Sequence, residues 1–150
     1  MPKRESKRSA QLANQPYEKF LRSVRLVALG LSKCECRLDR GAYIQASRKK
    51  GLTRVNAEHK VHRTGDGHFD VLGSISVALE DPEKKLQVLS VSCSFEAHFH
   101  AEFAADSPHP GRFADGEARL ILFPYFREFV SDLTGRMAIR PVFLPLATEE

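Results

Sequence analysis

From Leu89 to Phe103 the chain alternates without a break. Leu89, Val91, Cys93, Phe95, Ala97, Phe99, Ala101 and Phe103 hold one phase. Ser90, Ser92, Ser94, Glu96, His98, His100 and Glu102 hold the other. A period of two kept this long requires one buried face and one wet face, the mark of an antiparallel sheet. Two shorter segments repeat the pattern. Val55, Ala57, His59 and Val61 alternate with Arg54, Asn56, Glu58, Lys60 and His62. Phe69, Val71, Gly73, Ile75, Val77 and Leu79 alternate with mostly polar neighbours. Thr64-Gly65-Asp66-Gly67 and Asp81-Pro82-Glu83-Lys84-Lys85 supply the turns between them. A fourth strand is expected earlier, within the irregular apolar stretch Tyr17 to Leu38. There Val24, Leu26 and Ala28 share a phase, Leu29 and Leu31 the opposite one, and Cys34, Cys36 and Leu38 the first again. A phase change near Gly30 predicts a strand with a bulge. Arg48-Lys49-Lys50-Gly51 reads as a loop.

The pattern changes after residue 103. Asp106, Pro108, Pro110, Gly111, Asp115 and Gly116 predict a connecting loop over 104–117, with Phe113 as its one large apolar residue. Apolar residues then recur at helical spacing from Leu120, and Phe126, Phe129, Val130 and Leu133 form a single stripe. Pro124 suits a first-turn position or a mild kink, and Gly135 a helix stop. Arg140 to Leu146 carries two prolines and reads as extended. The predicted fold class is therefore α+β: a four-stranded antiparallel sheet followed by one long apolar helix. That helix is greasier than one small sheet can cover, which points to self-association through Leu122, Phe126, Phe129, Val130 and Leu133.

Composition sets the outer bounds. With 150 residues, 42% of them hydrophobic, the chain has material for one core, and wholesale disorder is excluded. Residues 1–15 are polar and basic and are expected to form a disordered arm, leaving 16–150 as the folded domain. The longest early apolar run, Val24 to Leu31, is broken by Arg25 and Gly30 and falls short of the ~18 residues a membrane helix needs. No signal peptide and no membrane insertion are expected. Three cysteines, with Cys34 and Cys36 too close for an ordinary bridge, argue against a disulfide-built secreted domain and favour a reducing cytoplasm. All three cysteines lie in phase with apolar neighbours and read as small core residues.

Charge is uneven. Residues 1–25 hold seven Lys/Arg against Glu5 and Glu18, and residues 39–63 hold seven against Asp39 and Glu58. Residues 64–150 reverse the balance, with seven Lys/Arg against 14 Asp/Glu. The basic segments raise nucleic-acid binding as an alternative function. They lack the interleaved aromatics of a stacking surface and read first as solvated faces. Catalytic constellations are scarce. There is no Gly-rich phosphate loop and no nucleophile elbow. His98 and His100, flanked by Glu96 and Glu102, have the spacing for a strand-borne metal site. The plainer reading is a wet sheet face, so no metal, no cofactor and no enzymatic activity are expected.

Leu122-Phe123-Pro124-Tyr125, followed by Arg127-Glu128, resembles the start of the main helix of the SecB protein-export chaperone family. Gly135-Arg136, Ile139, Pro141, Val142 and Leu144-Pro145 resemble that family's short extended return. Cys93-Ser94-Phe95-Glu96 falls where its fourth strand lies. The resemblance covers residues 18–146. It implies subunits that pair edge to edge and sandwich their helices into a homotetramer, a dimer of dimers. It also implies ATP-independent holding of unfolded or nascent polypeptides in apolar grooves, with delivery to SecA in export members and protection of antitoxins in a second group. The family's second helix and acidic tail are expected to be missing or rudimentary, and Arg54 and Lys60 stand where export members are acidic, which points away from SecA. The candidate client-binding residues are Phe95, Phe99, Phe103, Phe113, Val142, Phe143 and Leu144. Phe95 and Phe99 fit a core or a groove equally well, and Phe113, placed in a loop, fits a groove better. Many weak apolar pockets, each worth about 1.5–3 kcal/mol per buried side chain, suit a binder of many sequences.

Overall fold

The computed structural model describes residues 15–46 and 52–144. The expected arm, apart from residue 15, and the expected loop at 48–51 lie outside the described residues. The elements run α1 (15–23), β1 (Arg25–Leu38), α2 (Arg40–Ala46), β2 (Leu52–Gly65), β3 (His68–Glu80), β4 (Gln87–His100), α3 (His109–Asp115) and α4 (Glu117–Arg136). The four strands form one antiparallel sheet in the order β1-β4-β3-β2. Gly67, at φ 72°, closes the tight β2–β3 hairpin in a conformation that favours glycine.

The irregular phase of β1 has a local cause. Its pairing with β4 slips twice, between Leu26 and Ala28 and between Leu31 and Lys33. Val27 and Ser32 are the extra residues. Each slip reverses the phase. Leu26, Leu29, Leu31, Cys34, Cys36 and Leu38 therefore all share one face, opposite Phe99, Ala97, Phe95, Cys93, Val91 and Leu89. Two bulges flank Gly30, where the sequence pattern predicts one.

Three short helices depart from the sequence expectation. Residues 15–23 are helical and seat Tyr17 and Phe20 in the core. Asp39 caps α2, its Oδ1 accepting from the Ala42 N–H at 2.9 Å. The segment 104–117, expected to be a loop, contains α3, which begins behind Pro108 and carries Phe113 inward. α4 starts at Glu117, so Pro124 lies inside the helix and not in its first turn. The Leu120 carbonyl, four residues back, consequently has no ring N–H to accept from. The helix runs through Gly135, and Ala138 makes the left-handed turn (φ 56°) that ends it. Among the described residues no helix follows Arg136.

α4 packs on its own sheet. Leu122, Phe126 and Val130, one per turn, are buried. The Phe126 ring meets Phe95 edge-on at 5.2 Å and His59 at 6.1 Å. Gly73 makes the close approach possible: a Cβ there would lie 2.9 Å from Leu122 Cδ1 and 3.1 Å from His59 Cδ2. Gly73→Val should therefore cost about 1–3 kcal/mol through overpacking, seen as a lower urea midpoint at unchanged slope. In the last turn of α4, buried Thr134 donates to the Val130 carbonyl at 2.7 Å and accepts from the Val142 N–H at 2.9 Å, which ties the extended return to the helix.

Candidate functional site

The helices leave part of the sheet's apolar face bare. Across the β1–β4 seam the β4 members Phe99, Cys93 and Val91 are buried, while their β1 partners Leu26, Cys34 and Cys36 are exposed. Leu31, opposite Phe95, is 46% exposed. β1 is also an edge strand of the described sheet, with one row of backbone N–H and C=O groups that no described strand pairs. The opposite edge, β2, carries Arg54, Glu58, Lys60 and Arg63, the charged type of edge that discourages pairing. β1 carries a single charged pair, Lys33–Glu35, inside an otherwise apolar and small-residue stretch from Leu26 to Cys36.

Two hollows flank α4 and share Glu128 and Asp132. One, about 250 Å³, is lined by Phe95, Tyr125, Glu128, Phe129 and Asp132. Its floor continues onto β1, because Phe95 faces Leu31. The other, about 600 Å³, lies between Phe123, Pro124, Arg127 and Ser131 of the helix and Phe143 of the extended return. Phe143 is 68% exposed there. Both hollows mix apolar side chains with charged and polar ones.

The expected client-binding residues divide. Phe95 and Phe143 line the hollows. Val142 and Phe103 are partly buried, and Phe103 packs on Phe20 and Phe69, each at 5.7 Å. Phe99, Phe113 and Leu144 are buried in the subunit core and, as packed, offer no surface. Phe113 sits on α3 with its ring 5.0 Å from Phe99 and 5.5 Å from Phe69, so the groove role expected of a loop residue does not fit its position. β4 ends at His100, and Ala101 and Phe103 leave the ladder. Of the stripe expected to join subunits, Leu122, Phe126 and Val130 are turned inward, whereas Phe129 and Leu133 are only partly buried. Exposed apolar residues outside the sequence candidates include Leu26 and Leu31 on β1 and Leu120 and Tyr125 on α4.

The histidines do other work. His98 Nδ1–H donates to the Asp70 carboxylate, directly across the β3–β4 pair. Among the described residues no group of three or more His, Cys, Asp and Glu is placed to hold a metal ion. His59 lies under α4 with both ring nitrogens buried and without hydrogen-bond partners. Burial, and secondarily the Arg119 guanidinium, hold its pKa below the ordinary value. Its folded pKa is thus lower than the unfolded one of about 6.5, so the unfolded chain binds the proton first. Its contribution to stability is complete above that unfolded pKa and falls as the pH drops below it. Urea midpoints from pH 8 to 5 should show this loss, and His59→Leu should flatten it.

A cleft of about 500 Å³ at the far end of the seam is lined by Lys19, Arg22, Ser23, Arg25, His100 and Glu102. α1 is fixed above it by Phe20, and by the Tyr17 hydroxyl, which donates to Glu117 at 2.6 Å. Burial and the neighbouring carboxylate hold that hydroxyl protonated well beyond its usual range.

No protein-family model matches the chain, and no curated protein matches it. Among solved structures, the SecB-like chaperone of Mycobacterium tuberculosis, in complex with a ChAD peptide from the HigA1 antitoxin, superposes with a TM-score of 0.77. The match covers 91% of this chain and 99% of that one, at 20% identity. The chain has a SecB-like fold. A protein of unknown function from Streptococcus agalactiae aligns at TM-score 0.49 and 7% identity, over 82% of this chain and 97% of that one. In this SecB-like fold no described helix is long and apolar enough to cross a membrane. The bare β1 face and the two hollows beside α4 present exposed apolar side chains.

Proposed function

We propose that the protein is an ATP-independent holdase of the SecB type, which binds unfolded or nascent polypeptide along an apolar track from Leu31 and Phe95 to the flanks of α4. The observation that carries this reading is the bare apolar face of β1, continuous with the hollow of Phe95, Tyr125 and Phe129. A precise enzyme site needs convergent polar groups. A holdase needs exposed apolar area that accepts clients of many sequences. Phe95, Phe103, Val142 and Phe143 are the sequence candidates that retain a client-facing role. Phe99, Phe113 and Leu144 support them from beneath.

An antitoxin is the client class we favour over cargo destined for SecA. The Mycobacterium tuberculosis chaperone of the same fold holds an antitoxin peptide. The face of β2 opposite Val55 and His59 carries Arg54, Lys60 and, past the bulge, Arg63 against Glu58, and is not acidic. Assembly into a homotetramer in the cytoplasm completes the reading, with β1 edges pairing first and Leu120 and Leu133 meeting between the helices. Fluorescence anisotropy with two unrelated, unfolded, labelled peptides tests the binding mode. Both should bind without nucleotide and compete with each other. Strict selection of one sequence, or no binding, would contradict a holdase.

Nucleic-acid binding is a second reading with one specific observation behind it, the cleft of Lys19, Arg22 and Arg25. Duplex and single-stranded DNA titrated across a salt series decide it. Binding that weakens steeply with salt favours it, and a flat response or none removes it.

A further inference from the structure

We propose that Cys34 and Cys93 form a thiol-oxidation site, in which the exposed Cys34 takes a thiol from a low-molecular-weight disulfide and Cys93 resolves it into a β1–β4 cross-strand disulfide. The two residues are direct partners in the antiparallel register, so their side chains leave the same face of the sheet. Antiparallel partners sit about 4.5 or about 5.5 Å apart at Cα, according to their place in the ladder. Both spacings lie inside the range of about 4.4–6.8 Å that a disulfide spans, so the backbone need not move.

The two sulfurs differ in access. Cys34 is exposed on the edge strand, and Cys93 is 2% exposed beneath it. Cys34 is therefore the thiol that a small disulfide reaches first. Its thiolate attacks one sulfur of the disulfide, forming a mixed disulfide and releasing one thiolate. The Cys93 thiolate then attacks Cys34 Sγ, forms the intramolecular bond and releases the second thiolate. The two protons lost by the cysteines pass to solvent or to the departing thiolates. One small disulfide is reduced as the pair is oxidised.

Cys36 is the obvious competitor, and geometry disfavours it. It faces Val91, not Cys93. Its Cα is about 6.6 Å along the strand from that of Cys34, with the two Cβ vectors side by side. Both members of the proposed pair are reluctant thiolates. Burial and the neighbouring Cys34 push Cys93 up to about 12, and partial desolvation, then Cys36 and Glu35, raise Cys34. The reaction is consequently slow at neutral pH and accelerates as the pH rises. Once formed, the bond pins the middle of β1 to β4 and keeps the edge strand from peeling. The inference does not depend on the holdase reading.

Oxidised glutathione at alkaline pH, followed by thiol titration of the denatured protein and intact mass, tests it. The wild-type chain has three thiols and should lose two of them to one intramolecular bond, with glutathione added at the exposed Cys36 alone. Cys36→Ser should fall from two to none, and Cys34→Ser should form no intramolecular bond. These variants are needed because Cys34 and Cys36 share one tryptic peptide, 34–37. The oxidised wild-type protein should melt higher, and reductant should remove the gain. A bond between Cys36 and Cys93 in Cys34→Ser, a covalent dimer, or glutathione retained on Cys34 would each overturn the proposal.

Discussion

Phe126→Ala lowers the unfolding free energy by about 3–5 kcal/mol, a large share of what holds a domain of this size together. The ring is 1% exposed and lies edge-on against Phe95 (5.2 Å, 83°), with His59 on its other side. Truncation leaves a cavity walled by the sheet, which is too rigid to close it. Leu86→Ala, in the β3–β4 connection, changes stability by no more than about 0.5 kcal/mol, because Leu86 is 57% exposed. Urea unfolding at two protein concentrations checks both. The Phe126→Ala loss should be the same at each, since the ring packs inside one subunit. A loss that grows on dilution would instead place Phe126 between subunits.

Leu31→Asp combined with Phe143→Asp weakens client binding at least tenfold and leaves the urea midpoint where it was. Each apolar side chain buried by a client contributes about 1.5–3 kcal/mol, and each ~1.4 kcal/mol is a factor of ten in affinity. A carboxylate at either position must also be desolvated when a client covers it. Both residues are exposed in the subunit, so the fold does not lean on them. Lys60→Ala, on the opposite sheet face, serves as the comparison and should bind as the unaltered chain does. Anisotropy with a labelled unfolded peptide measures all three. Unchanged affinity in the double variant would remove the β1–α4 track from the account.

The strands were legible because their information is local and periodic. Phe69 to Leu79 and Leu89 to Phe99 show the buried and wet faces that the sheet then has, whereas along Val55 to Val61 the in-phase Val55 and Ala57 are exposed and only His59 and Val61 are partly covered. β1 was half legible. Its phase reversals pointed to a bulge, but two bulges close together leave the first and last thirds in phase and look like one disturbance. α1 was missed although Tyr17, Phe20, Leu21 and Val24 follow helical spacing, because the neighbouring strand pattern absorbed them. α3 was hidden by Pro108 and Pro110, which start helices as readily as they mark loops. The site was the least legible part. Periodicity identifies an apolar face without telling which part of it a helix will cover. The phenylalanines of β4 thus divided between core (Phe99, beneath Phe113 of α3) and groove (Phe95, at the flank of α4). The exposed leucines of β1 drew no notice because they belong to the same apolar face.

Light scattering of a chemically unfolded client, diluted into buffer without nucleotide, tests the central claim most directly. The account predicts that the protein, at about one tetramer per client, holds scattering near the baseline. It also predicts that the Leu31→Asp/Phe143→Asp variant, equally stable, lets scattering rise. A client that aggregates at its full rate in the presence of the unaltered protein would contradict it.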